Sequence, residues 1–285
     1  MTGGNTRAGD VNRLLAAVAE AGGYPIGLGS QRAMIAGGRL DPKVGASYML
    51  RDVAPTTPIF ANLGAVQAAV VPTALVDEMV KFVGASALCL HLNPAQEMIQ
   101  PGGDRDFRGC LDGIGRLASE LSVPVIVKET GNGLSRTTAE QLARVGVEHI
   151  DVSGAGGTSW VGVETRRAIG QKRELGELFW DWGIPTAASL LQVQGGRFQT
   201  VIASGGIYSG LDVAKAIALG ADAAGMARPL LQALDVGGVE GALQRLKWVE
   251  EELRTAMLLT GSRTVAQLKK VARNMAPELS SWVQV

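Results

Sequence analysis

The chain has 285 residues, 46% of them hydrophobic, with 38 glycines, few aromatics and a formal net charge of zero. That length suits one α/β barrel of about 250 residues or two ordinary domains, and the charge balance offers no broad basic face to nucleic acid. Cys89 and Cys110 make neither a metal spacing nor a disulfide framework, no apolar run approaches the roughly 18 residues of a membrane span, and no signal-peptide layout opens the chain. A reduced, cytoplasmic compartment is therefore expected.

Met1-Thr2-Gly3-Gly4 opens without a preceding strand. Val11, Leu14, Leu15 and Val18 then fall at i, i+3, i+4, i+7, which predicts a helix that stops at Gly22-Gly23. Tyr24 to Gly29 reads as a buried strand, residues 33–57 as a connection with one possible helix before Pro55, and Pro58 to Asn62 as the next strand. A helix over Thr73 to Val83 leads into a strand from Ala87 to Asn93, followed by a polar excursion, Pro94 to Phe107, and a helix to about Leu121. Val123 to Lys128 is a strand, Thr138 to Val145 a helix, and Glu148 to Ser153 a strand ending in the Gly-dense loop 154–159. Residues 160–198 are too long for one simple βα unit and carry a charged patch (Glu164, Arg166, Arg167, Lys172, Arg173) before a helical run at Ala187 to Val193. Residues 199–231 repeat the grammar of a parallel sheet: a short apolar run, Ser204-Gly205-Gly206, a helix with Leu211, Ala214, Ile217 and Ala218, a second run ending at Ala227-Arg228-Pro229, and a helix start. A helix from about Val239 to Leu259 stops at Gly261, and Thr264 with Gln267 forms a candidate capping box.

Counting gives strands near residues 26, 59, 89, 125, 150, 201 and 223, seven where a closed (β/α)8 barrel needs eight. Thr2-Gly3-Gly4 reads as the end of a further strand, so the expected fold is one domain, residues 1–285, a TIM barrel with most of strand 1 missing; a seven-stranded or open doubly wound sheet is the alternative.

Polar residues gather at the C-terminal strand ends, where barrel active sites lie. Glycines at 205 and 206 let backbone approach a ligand closely, and a helix starting near Pro229 aims unpaired N–H groups at the same point, an arrangement suited to phosphate. Alternation puts Cys89, His91 and Asn93 on one strand face, with Gln96 and Glu97 just beyond. A lone carboxylate among amides suits hydrated Mg²⁺ better than zinc; a satisfied core histidine and a loop-capping Glu97 are the plainer reading. Lys128 emerges at the end of an apolar strand, fit either for an anionic cofactor or for an ion pair with Glu129 or Asp151. Arg32, after Ser30 and Gln31, is a candidate for bidentate anion capture, and Asn62, Ser153 and Thr158 can hydrogen-bond a ring or phosphate. Asp104, Arg105, Asp106 and Arg108 read as a surface charge run or a gating loop, the surface run being the plainer reading. No G-x-S-x-G, Walker loop or zinc spacing is present, and His149 sits at the wrong end of its strand for a triad.

These motifs taken together (Gly29-Ser30-Gln31-Arg32, Ala61-Asn62-Leu63-Gly64, His91 to Glu97, Gly103 to Arg108, Val127-Lys128-Glu129, Ser153 to Ser159, Ser204-Gly205-Gly206, Gly225-Met226-Ala227-Arg228) resemble the type 2 isopentenyl-diphosphate isomerases, FMN-dependent (β/α)8 barrel enzymes. The resemblance runs the length of the chain. It implies interconversion of isopentenyl and dimethylallyl diphosphate on reduced FMN, with Mg²⁺ and a reductant such as NADPH, in a tetramer or octamer. It places flavin contacts at Thr2, Ser30, Asn62, Lys128, Ser153, Thr158, Gly205, Gly206, Ala227 and Arg228, substrate contacts at Gln31, Arg32, His91, Asn93 and Gln96, proton-transfer assistance at Gln96, and the metal at Glu97. It also implies that an N-terminal Arg-Lys and His clamp on the diphosphate is absent from this sequence. A 2-hydroxy-acid oxidase on the same fold would want a catalytic His after a late strand, where this chain has none, and an inactive flavin-binding fragment is the third reading.

Overall fold

The structure is a computed structural model and describes residues 6–282. The expected flavin contact at Thr2, and the strand end at Thr2-Gly3-Gly4, lie outside the described residues.

Seven parallel strands form one curled sheet in chain order: β1 (Ile26–Gly27), β2 (Ile59–Gly64), β3 (Ala87–His91), β4 (Val125–Lys128), β5 (His149–Asp151), β6 (Thr200–Ala203) and β7 (Ala223–Ala224). Helices follow the strands in (β/α) fashion. Alternating side chains sort the strands into two layers. Ile59, Leu63, Leu88, Leu90, Val125, Val127 and Ile150 pack outward with helical residues such as Val76, Met79, Ile114, Leu117 and Leu142 in the main core. Ala87, Cys89 and Ile126, with Phe60 and Ile202, fill the lumen. The register then stacks Gly64, His91, Lys128 and Asp151 side by side across four strands at the C-terminal end.

The two outer strands, β1 and β7, do not pair among the described residues. They are bridged instead by helix α1 (Thr6–Gly22) against the long helix α11 (Arg228–Leu259; the intervening helices are numbered below), through Val18, Leu234 and Ala242 with Val11 and Leu15. The Tyr24 hydroxyl donates to Glu250, 2.5 Å away, across the same seam. The helical layer is thus continuous where the sheet is not.

Between β2 and β5 run α2 (Ala65–Val70), α3 (Thr73–Phe82), α4 (Pro94–Ile99), α5 (Cys110–Glu120) and α6 (Arg136–Arg144); between β5 and α11 run α7 (Trp160–Arg167), α8 (Gln171–Leu178), α9 (Thr186–Val193) and α10 (Gly210–Ala218). Several segments differ from the sequence expectation. Residues 33–57 hold a small antiparallel hairpin (Ile35–Ala36 with Arg39–Leu40) and a short helix, Pro42–Gly45, capped by Asp41. The first half of the excursion at 94–107 is helical, with Pro94 at its first turn, where a missing N–H costs nothing. The segment 160–198 resolves into a two-helix hairpin, α7 and α8, inserted before α9. The helices read separately near Pro229 and Val239 join as α11 across a break at Gly238, whose φ of 61° favours glycine. Thr264 caps its helix by accepting from the Gln267 N–H, but the Gln267 side chain takes the N–H of Arg263, so the reciprocal box forms at Ser209 and Asp212 instead.

Candidate active site at the strand C-termini

The lumen end of the sheet carries a chain of buried polar contacts. The Asn62 amide donates to the Leu28 carbonyl (2.8 Å), its backbone N–H donates to Gln31 Oε1 (3.0 Å), and its Oδ1 lies 2.8 Å from His91 Nδ1. Because Asn62 spends its NH₂ on Leu28, the pairing is complete when His91 Nδ1 carries the proton, which leaves Nε2 as an acceptor. Burial, with Lys128 beside it, pushes the His91 pKa down to about 3, so the ring is neutral. Gln31 is fully buried, and its Nε2 contacts the Met34 sulfur at 3.1 Å. Its side chain ties the Ser30-Gln31-Arg32 loop to β2. Ser30 is held through its carbonyl, which accepts from the Tyr48 hydroxyl at 2.7 Å.

Lys128 is half-buried and donates to the Glu129 carbonyl. Asp151 faces it from the next strand. Burial pushes that carboxyl up, while Lys128 and the Ser204 hydroxyl, which reaches both oxygens at 2.8 Å, pull it down. The Ser153 and Ser204 N–H groups each add a bond at 3.1 Å. Ser153 takes a φ of 37°, rare outside glycine, at the point where the chain leaves β5. Glu129 is buried behind this layer, and burial raises its pKa to about 7 against the N–H donors of Asn132 and Thr130.

The two Gly-rich loops meet. Gly205 packs on the Gly154 backbone and Gly206 on Gly156 so closely that a Cβ at either would strike main chain, and both have positive φ. The Thr186 hydroxyl donates to the Gly205 carbonyl at 2.5 Å and fixes that peptide. Among the described residues, the N–H groups of Gly205, Gly206, Ala227 and Arg228 have no acceptor, and the last opens α11. Such converging N–H groups suit the phosphate of a flavin mononucleotide, and the cationic Lys128 suits its ring. Thr158 lies in the adjoining loop, its carbonyl close to Gly131.

Around the mouth, Glu97 is buried and accepts from Asn93 Nδ2 (2.7 Å) and from the Asp104 N–H (2.8 Å). No group of three or more His, Cys, Asp or Glu able to hold a metal occurs among the described residues. A hydrated Mg²⁺ that keeps waters and substrate oxygens as its other ligands fits a single carboxylate of this kind; a closed zinc site does not. Gln96 turns away from Glu97. Its Nε2 donates to Gln100 (3.3 Å), and its buried Oε1 has no partner. It lines a cavity of about 440 Å³ with Gln100, Pro101, Trp160, Glu164 and Arg167.

Glu164 is the residue that sequence reasoning missed. The sequence shows it only as one member of a charged patch, yet it is 3% exposed, its Oε2 has no partner, and it faces the same cavity as Gln96. The readable signal was its position on α7, three residues from Val161 and next to Thr165 on the buried face. Arg32 does project at the mouth, where its guanidinium meets Asp104 at 2.9 Å.

Comparison with known proteins agrees with this geometry. The model of the FMN-dependent dehydrogenase family matches residues 66–274. In structure, the chain resembles a mandelate oxidase variant with an FMN monooxide adduct (TM-score 0.62, 18% identity, 93% of this chain and 74% of that one). It likewise resembles a putative lactate oxidase of Pediococcus acidilactici (TM-score 0.63, 18% identity, 92% and 70%). At that identity the likeness establishes the fold alone, a (β/α) barrel. In sequence, the chain is 50% identical to the isopentenyl-diphosphate delta-isomerase of Synechococcus sp. over 276 residues (95% of this chain, 77% of that protein). It is 46% identical to that of Halobacterium salinarum over 277 residues (95% and 76%) and 43% to that of Pyrococcus abyssi over 293 (99% and 78%). With the barrel, the phosphate-ready loops and this likeness in hand, the chain belongs to the isopentenyl-diphosphate delta-isomerase family of FMN-dependent barrels.

Proposed function

We propose that this protein interconverts isopentenyl and dimethylallyl diphosphate with FMN held at the strand C-termini. The observation that carries the reading is the convergence, at one end of one barrel, of acceptor-less N–H groups at Gly205, Gly206 and Ala227 with Lys128, His91, Gln96 and Glu97. Ser30, Asn62, Ser153, Thr158 and Arg228 complete the proposed flavin contacts. Bound FMN, kept reduced by a donor such as NADPH, would supply an electron-rich ring able to exchange a proton with the allylic carbons.

The chain's own residues do the rest. Lys128 offsets negative charge on the ring, and Asp151 keeps that lysine from standing unbalanced in the lumen. Neutral His91 offers an acceptor at Nε2 without adding a competing cation. Gln96 Oε1 and Glu164 Oε2, both without an internal donor, accept from an ordered water that relays a proton beside the hydrocarbon end of the substrate. Trp160 and Pro101 line the same cavity. Arg32 captures the diphosphate, Asn93 and the Asp104 N–H keep Glu97 aimed, and Mg²⁺ on Glu97 would neutralise phosphate charge.

We further propose a homo-oligomer in the cytoplasm. The exposed Val236, Trp248, Leu258 and Leu259 on α11 support the assembly, and the unpaired Cys89 and Cys110 support a reducing compartment. No helix among the described residues is long and apolar enough to cross a membrane. The deciding experiment loads purified protein with FMN, reduces it under Mg²⁺, and follows isopentenyl diphosphate by NMR. Dimethylallyl diphosphate should accumulate with no net consumption of reductant. Oxidation of lactate or glycolate, with no isomerisation, would overturn the reading.

A further inference from the structure

The loop after α4 reads as surface charge, and for two of its residues that holds: Asp106 and Arg108 pair with each other in the open. Asp104 is different. Its carboxylate Oδ2 accepts from Arg32 at 2.9 Å and from the Gln67 amide at 3.3 Å, while its backbone N–H donates to Glu97 Oε2 at 2.8 Å. Its side chain is only 24% exposed. The preceding residue must be glycine, because a Cβ at Gly103 would strike the Glu97 carbonyl and lie 2.8 Å from Glu97 Oε2. The loop is therefore folded back onto Glu97 by close backbone approach, and Asp104 is the point where it also reaches Arg32.

We propose that Asp104 is a positioning residue for diphosphate capture, resting on the function proposed above. One residue sets both groups. Its side chain holds the Arg32 guanidinium, and its main chain holds the carboxylate that would carry the metal. Only Nη1 of Arg32 is taken by this bond, so the remaining donors of the planar fork stay free for phosphate oxygens. Pre-ordering that long side chain lowers the entropic cost of binding an anion.

The inference makes a prediction opposite to simple electrostatics. A bystander carboxylate beside an anion site repels the ligand, so its removal should tighten binding. A positioning carboxylate should weaken binding when removed. The experiment is calorimetric titration of inorganic pyrophosphate with Mg²⁺ into FMN-loaded full-length protein. Asp104→Asn and Asp104→Ala should each weaken affinity by about 3- to 10-fold, as loss of one partly exposed charge-assisted hydrogen bond would. The Asp104→Asn/Arg32→Gln double variant should bind no more weakly than Arg32→Gln alone, because the two act as a unit. Asp104→Glu should recover part of the loss. Asp106→Asn, in the same loop, should bind as the parent does and keep the same flavin absorbance. Unchanged or tighter binding in both Asp104→Asn and Asp104→Ala overturns the inference, as do losses at Asp104 and Arg32 that simply multiply. Failure of the parent protein itself to bind pyrophosphate overturns the diphosphate reading, and this inference with it. Parent binding that survives the Asp104 changes removes this inference alone.

Discussion

The lumen layer and the mouth of the barrel are built from the same kinds of side chain but by different rules. In the lumen, Asn62, Gln31, His91, Asp151 and Ser204 answer one another through buried bonds, with partners fixed by strand register. At the mouth, Arg32 pairs with Asp104 across two loops, Arg167 with Glu164 along α7 and Arg108 with Asp106 within one loop, each through an arginine that is at least half exposed. A buried network is expensive to leave half-made, so cutting it should cost stability. An exposed pair is screened, so cutting it should cost ligand affinity or nothing.

The sharpest break of that contrast is Gln96→Ala. It removes a mouth residue that carries no structural bond beyond Gln100, so isomerisation should fall by about 10²- to 10⁴-fold while denaturant stability and flavin content hold. Rate assays beside urea unfolding check both halves. In the lumen, Asn62→Ala strands the His91 Nδ1 and should cost about 1–3 kcal/mol of unfolding free energy, read from the denaturation midpoint. Glu129 sharpens the comparison through pH. Its folded pKa of about 7 exceeds the ordinary value of 4.5, so the folded state keeps a proton that the unfolded chain releases. The stability of the parent relative to Glu129→Gln should therefore fall as pH rises from about 4.5 to about 7 and level off above. Parallel curves for the two proteins over that range would contradict the burial assigned to this carboxyl. The smallest effect belongs to Arg108→Ala, whose exposed pair with Asp106 should leave the melting temperature unmoved.

Much of the lumen was legible in advance. Leu88 and Leu90 against Cys89 and His91 is a period of two, and period alone assigns faces; the structure puts the first pair in the outer core and Cys89 in the lumen cluster. The Ser204-Gly205-Gly206 turn and the helix after Ala227 were also readable, because glycine and proline constrain the backbone locally. The mouth was less legible. Elements such as Ile35–Ala36 or Pro94–Ile99 are too short to express a period. Asp104 and Glu164 resemble any other charged loop or helix residue until their neighbours are known.

The sequence by itself determined the strand-and-turn order, the face each strand residue takes and the family that the motifs resemble, because those follow from local backbone preference and alternation. Only the tertiary structure decided that Asp104 reaches Arg32 across 72 positions and that Gln96 and Glu164 open onto one cavity. It also placed α1 on α11, between the two outer strands, which do not pair among the described residues. Contacts between distant residues depend on how loops close and helices pack, and no local periodicity encodes that.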